Sequence, residues 1–288
     1  MKTILLGAVA YGPKVVPIWE GIREYFTALG VPMDFVLFSN YEAQVDALFA
    51  KFISIAWNTN LAFVRTDLRL DGKSKILAMR DTDLGFKTKI VARTGRGINS
   101  VEDLRGKRVA FGSRDSVQAA IMPEHCLMEC QLVADKDYTA VRFNTDVGKH
   151  GDTGRSELDV LKAVREGEVD AGCVGEPTWL LATAGGDAAN MQDIWTSPGY
   201  SHCNFTALPE LSEEVAETFV NTLLKMDYNN PEHRKILEME GLKQWIRGER
   251  EGYKSVFDAV RTTRYKLNPE PSTSRPESAP IGAAKVVT

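Results

Sequence analysis

The sequence predicts an α/β protein built as two lobes, with a hinge that the chain crosses twice. Three observations carry this prediction. Short apolar runs alternate with amphipathic helical stretches over most of the 288 residues. Two segments, SVEDLRGKRVAFGSRDSV (100–117) and LKAVREGEVDAGCVGEPTW (161–179), each read as a helix, a glycine turn, a buried strand and a fresh helix start. Polar, glycine-bearing stretches at Thr94–Asn99 and Ser197–His202 then set a second βα unit apart from what flanks it.

The elements follow in order. Ile4–Ala10 is almost wholly apolar, as a strand covered on both faces must be. Pro17 is expected near the first position of a helix whose Ile18, Trp19, Ile22, Tyr25, Phe26 and Leu29 form one stripe, closed by Gly30. Met33–Phe38 is a strand, Tyr41–Lys51 a helix and Ile53–Trp57 a third strand. A short helix at Leu61–Arg65 and a strand at Ile76–Met79 complete the unit. A βαβαβ order implies parallel pairing with right-handed crossovers.

Thr88–Arg93 is a further strand, followed by Thr94–Asn99 as a loop or hinge. The second unit has strands at Val109–Phe111, Thr139–Phe143, Ala171–Val174 and Ile194–Thr196. Ser197–His202 is the return crossing and Phe205–Leu208 the return strand. Helices at Ser212–Met226, Pro231–Glu240 and Arg250–Arg261 close the first lobe, with Ser212 as N-cap. Lobe I is expected at 1–93 and 203–265 and lobe II at 94–202. The Pro- and Ser-rich stretch 266–288 reads as a disordered tail.

Composition excludes several classes. A net charge of −4 without a basic stripe argues against nucleic acid as a partner. No apolar run reaches the roughly 20 residues that span a bilayer, so membrane insertion is not expected. MKTILLGAVAYG imitates a secretory signal but runs straight into the first fold elements, and no lipobox cysteine follows. The expectation is a cytoplasmic protein, or a periplasmic one whose export signal has been removed. Cys126, Cys130, Cys173 and Cys203 are too sparse for a disulfide scaffold. With no C-x-x-C pair and no H-E-x-x-H helix, no metal is expected. The absence of a Walker, Rossmann or G-x-S-x-G motif leaves no cofactor expected either.

Polar residues at strand-to-helix transitions mark the candidate site, because ligands of open α/β sheets bind at the carboxyl ends of strands. The stretch S-x-x-D-L-x-G-K-x-V-A-F-G-x-x-x-S with Pro123 after it, and L-x-A-V-x-x-G-x-V-D-A-G later, resemble the phosphate/phosphonate-type solute-binding proteins of ABC transporters. The resemblance covers most of residues 1–265 and implies a type II periplasmic-binding-protein fold that closes on a small ligand. It implies ligand contacts at Tyr41, at Ser113 and Ser116 in the helix-opening turn, and at His150 in the loop GKHGDTG (148–154).

The residues themselves add others. Tyr11 follows the first strand. Trp57 offers a flat face and Asn58 a donor and an acceptor at the end of the third strand. Glu176 opens a helix beside Pro177, and His202 lies in the return crossing. Asp115 departs from the family's Ser/Thr-rich turn, and a carboxylate there disfavours a plain dianion. An amino-bearing, zwitterionic or heteroaromatic solute suits this mixed, aromatic set better. The alternative is a cytoplasmic enzyme on the same fold, a cofactor-independent lyase, decarboxylase or hydrolase using His150, Asp152 and Glu176. The partner is then a small molecule in either case, and a homo-oligomer is compatible with the sequence.

Overall fold

Ile4–Val9 (β1) runs through the interior of a five-stranded sheet, paired in parallel with Met33–Phe38 (β2) on one side and Ile55–Asn58 (β3) on the other. This computed structural model describes residues 2–267. The tail expected from 266 onward therefore lies, beyond its first two residues, outside the described residues. Between these strands come Val15–Ala28 (α1) and Tyr41–Phe49 (α2), the latter capped by Asn40, whose side chain accepts the Ala43 N–H. Pro17 is not at the first helical position, since α1 already begins at Val15. Asn60–Arg69 (α3) follows, with Thr59 as its cap.

The expected strand at Ile76–Met79 is split. Lys75–Ile76 (β4) forms one edge of the first sheet, while Ala78–Arg80 (β5) leaves it to pair with a later strand. A short 3₁₀ turn, Asp81–Asp83, then carries the chain out of the lobe.

Thr88–Arg93 (β6) is in the second sheet, not the first as expected. It runs antiparallel to both Ala171–Gly175 (β9) and Met191–Thr196 (β10). The rest of that sheet is Arg108–Phe111 (β7) and Thr139–Arg142 (β8), paired in parallel with each other, β7 also pairing with β9. The crossing is therefore the segment before β6. There Phe86 bridges antiparallel to Tyr200 of the return crossing. The loop at Thr94–Asn99 is no hinge, since it turns at the far end of β6, where Thr94 N–H donates to Asn190 O. Strand polarity decides this, because β6 must enter the second sheet at its hinge end.

A π-helical turn, Val117–Ile121, continues directly into Met122–Glu129 (α4). Arg155–Glu166 (α5) and Glu176–Ala184 (α6) complete lobe II. The return strand Asn204–Ala207 (β11) inserts antiparallel between β3 and β4. Glu213–Leu223 (α7), Pro231–Glu240 (α8), Trp245–Arg247 (β12, pairing β5) and Lys254–Thr262 (α9) follow.

Each lobe has its own core. Trp19, Phe26, Phe205 and Phe219 centre the first, and Phe111, Leu127 and Ile90 the second. Complete burial of such side chains contributes about 2–3 kcal/mol each. A third cluster joins the lobes at the hinge side. Phe63 and Val64 of α3, Val117 and Met122 of lobe II, Tyr200, Tyr253 and Val256 of α9 pack together there. Apolar packing thus holds the lobes together behind the cleft.

Candidate functional site

Strand β1 ends at Val9, and Tyr11 follows it into a cavity of about 140 Å³ between the lobes. Tyr11, Lys14, Trp57, Arg80, Cys203 and Glu240 line it from lobe I, and Asp152 from lobe II. Trp57 plays two parts. It packs in the core against Phe205 and Trp245, and its ring lies 5.3 Å from the Arg80 guanidinium. Burial raises the Tyr11 phenol well above its ordinary range, so it stays a donor at any physiological pH.

The carboxylates of this cavity differ in state. Burial alone would push Asp83 up, but the Arg80 guanidinium, 2.7 Å from Oδ1 and also bonded to Oδ2, holds it at about 2. Glu240 is also beside Arg80, 3.3 Å away, yet burial prevails and raises it to about 7. Asp152 is likewise raised by burial, and its Oδ2 accepts a hydrogen bond from the Tyr41 phenol. Arg80 thus bonds to Asp83 behind the cavity and to Glu240 in its wall, and Asp152 faces the same space from the other lobe.

His202 flanks this floor. Its ring stacks on Phe86 with centroids 4.4 Å apart, Nδ1 is 3.0 Å from Cys203 Sγ, and Nε2 has no partner among the described residues. Asp83, His202 and Cys203 bring potential metal donors within 4.8 Å of one another. They suit a cation poorly. Arg80 already saturates Asp83, and burial pushes the Cys203 thiol far from the thiolate a metal needs. His125, Cys126 and Cys130 are on α4 of the other lobe and do not join them.

The remaining expected residues lie elsewhere. His150 is buried, with Nδ1 2.7 Å from Thr59 Oγ1, Nε2 3.4 Å from Glu42, and its ring stacked on Tyr41. Asn58 is inside β3, where its Oδ1 accepts from Gln44 Nε2 at 2.8 Å, and its Nδ2 is unpartnered among the described residues. The Ser113 hydroxyl is spent on Asp146, whose N–H it also accepts at 3.1 Å, so it braces the loop. Ser116, not Asp115, caps the helix, accepting the Ala119 N–H at 3.2 Å. Asp115 accepts the Gly148 N–H instead, and burial raises its carboxyl. It lines a larger outer cavity of about 580 Å³ with Arg65, Arg114 and Tyr265.

Glu176 does not reach into the cavity. It stands at the start of α6 beside Lys89 and Lys87, 3.5 and 3.9 Å away, because α6 leaves the sheet on the β6 side. The acid–base trio of the enzymatic alternative is therefore not assembled. His150, Asp152 and Glu176 face different partners, and both His150 nitrogens are engaged.

Sequence reasoning missed Arg80 and Asp83, an i,i+3 pair at the exit of β5, and Glu240, which reaches Arg80 from the end of α8 within the same lobe. It also missed Glu157, whose carboxylate is buried in lobe II and accepts from Gly175 N at 2.8 Å and Gln118 Nε2 at 3.2 Å.

A model of the family described as "ABC transporter, phosphonate, periplasmic substrate-binding protein" matches residues 11–253. A probable ABC transporter phosphite binding protein, PhnD1 of Prochlorococcus marinus (strain MIT 9301), is 26% identical over 258 residues, 85% of this chain and 82% of its own. The structure of PhnD1 from that organism in complex with methylphosphonate superposes with a TM-score of 0.70 at 23% identity, over 91% of this chain and 98% of that one. A binding protein component of an ABC phosphonate transporter from Pseudomonas aeruginosa gives 0.64 at 17% identity, over 91% and 87%. The two structural likenesses show the type II fold. None of these matches lends the enzymatic alternative any support. Nor do they support the cytoplasmic expectation, since the family is described as periplasmic; among the described residues no helix is long and apolar enough to cross a membrane. The chain belongs to the phosphonate-type periplasmic substrate-binding proteins of ABC transporters, two-lobed binders of small solutes.

Proposed function

We propose that the solute is a small zwitterion, an amine joined to a phosphonate or similar acid, held in the cavity between Tyr11, Trp57 and Asp152. The charge balance carries this reading. Arg80 bonds to both Asp83 and Glu240 and Lys14 lines the same wall, so three carboxyl groups face two cations, and Asp152 makes no ion pair among the described residues. A ligand ammonium supplies the missing charge. The acid end finds a cation in Lys14 and a hydroxyl donor in Tyr11, both of which line the same cavity. Tyr41 acts by orienting Asp152. On this reading the protein works in the periplasm, as its family description has it, and passes its solute to a transporter unchanged.

Isothermal titration with 2-aminoethylphosphonate, methylphosphonate, phosphite and ethylamine tests it. The aminophosphonate is expected to bind at least about tenfold tighter than the other three, roughly one buried charge-assisted contact. Equal or tighter binding of methylphosphonate or phosphite overturns the reading.

A further inference from the structure

We infer that His150 is a positioning residue that latches the two lobes shut, and that it acts on the solute only through Tyr41 and Asp152. Each of its side-chain contacts reaches the opposite lobe. Nδ1 is 2.7 Å from Thr59 Oγ1 at the head of α3, Nε2 is 3.4 Å from Glu42 on α2, and the ring lies on Tyr41 with centroids 4.6 Å apart and planes inclined by 22°. Thr59 also accepts the Ala62 N–H, so its hydroxyl proton is free to go to Nδ1, and Nε2–H then donates to Glu42. Glu42 is anchored in turn by Arg65, 3.0 Å away. Burial pushes its carboxyl up, but His150 and Arg65 outweigh that and hold it ionised, at about 2.

The backbone of the segment is built for the same task. His150 has φ +53°, in the left-handed region that non-glycine residues occupy infrequently. Its side chain is buried, and its partners Thr59, Glu42 and Tyr41 all belong to lobe I. Gly148 and Gly151 flank it with φ of +88° and +89°. A Cβ on Gly151 would meet Ser116 Oγ and Gln118 Nε2 at 2.6 Å, and one on Gly148 would meet Asn40 Cβ at 3.0 Å. Residues 148–152 are thus a wedge fitted between the lobes. Two backbone acceptors complete the seam, with Tyr41 N–H donating to Gly148 O at 3.1 Å and Lys149 Nζ to Ala10 O at 2.7 Å.

Asp152, at the end of the wedge, is the part that faces the cavity. That last link rests on the solute reading above, whereas the latch does not. A protein whose binding-competent state is only partly populated loses apparent affinity in proportion, so weakening the latch weakens binding without removing a solute contact.

Small-angle X-ray scattering of the full-length protein, alone and with 2-aminoethylphosphonate, is the test. His150→Asn keeps a residue that tolerates left-handed φ while removing the ring. It is expected to expand the radius of gyration of the protein alone and to raise the Kd about tenfold. Glu42→Ala should do the same more weakly. Asp152→Asn should weaken binding and leave the radius of the protein alone at the wild-type value. An unchanged radius in His150→Asn overturns the latch, whatever happens to binding. If wild type fails to bind the probe, the solute reading falls, and the scattering contrast still decides the latch.

Discussion

The Tyr41 hydroxyl donates a hydrogen bond to Asp152 across the interlobe seam, joining the first turn of α2 to the loop that precedes α5. One residue belongs to each lobe, so this hydrogen bond exists only when the lobes are together. It also orients the one lobe II carboxylate that lines the inner cavity. Among the bonds across the seam, this one couples closure to the carboxylate that lines the cavity.

Tyr41→Phe tests that coupling. The ring still stacks on His150, but Asp152 loses its donor and its carboxyl rises further. Affinity for an amino-bearing solute is expected to fall roughly tenfold, on the order of one hydrogen bond to a charged group, with the fold retained. Calorimetric titration reads it, and unaltered affinity would show that Asp152 needs no orientation.

On the zwitterion reading, Glu240 should make binding pH-dependent. Its folded pKa, about 7, lies above the ordinary carboxyl range because burial disfavours the charge. Such a group contributes stability below its unfolded pKa that is lost as pH rises through about 7. An ammonium arriving beside it favours the ionised form, so binding near pH 6 releases a proton. Titrations in buffers of different ionisation enthalpy should reveal that release, and Glu240→Gln should abolish it.

Arg80→Met should be among the most destabilising single changes. It strands Asp83, which is fully buried, without its counter-ion, a loss of about 3–5 kcal/mol in urea unfolding at neutral pH. Adding Asp83→Asn should recover part of it. Asp83 has the opposite sign to Glu240. Its pKa is lowered to about 2, so its contribution is present above the ordinary carboxyl range and is lost as pH falls through 4 toward 2.

Two glycine substitutions separate packing from mere composition. At Gly112 a Cβ would meet Ala119 Cβ at 2.7 Å and Ser156 Oγ at 3.0 Å, so Gly112→Ala should cost about 1–3 kcal/mol. At Gly12 nothing lies within 4 Å, and Gly12→Ala should change stability by no more than about 0.5 kcal/mol. Thermal melts of the two variants suffice, and equal effects would contradict the packing described.

Much of the fold was legible because burial on both faces writes itself as contiguous apolar residues. Ile4–Val9, Arg108–Phe111 and Ala171–Gly175 are strands where the sequence predicts them, and Pro231–Glu240 matches its expected helix end to end. β6 was read correctly as a strand but assigned to the wrong lobe, since an apolar run does not say which sheet it joins. β12 was missed because a three-residue strand has no periodicity to detect. Within the site, Tyr11, Tyr41, Trp57, Asp152 and His202 stand in or beside the inner cavity; Tyr11 and Trp57 were signalled by strand ends, Tyr41 by the family resemblance, and Asp152 and His202 by a polar loop and the return crossing. Ser113 and Glu176 carried the same signal and turned to Asp146 and to Lys89.

By itself the sequence determined the two-lobed α/β architecture and the family, because alternation of apolar runs and glycine turns constrains local structure directly. The tertiary structure decided which carboxylates share a cavity and which charge cancels which. Arg80 and Asp83 pair locally, three residues apart at the exit of β5, but no local pattern relates them to Glu240 at the C-terminal end of α8 or to Asp152 in the loop before α5. Electrostatic interaction depends on distance and burial, and residues far apart in sequence acquire both only when the chain returns through the hinge.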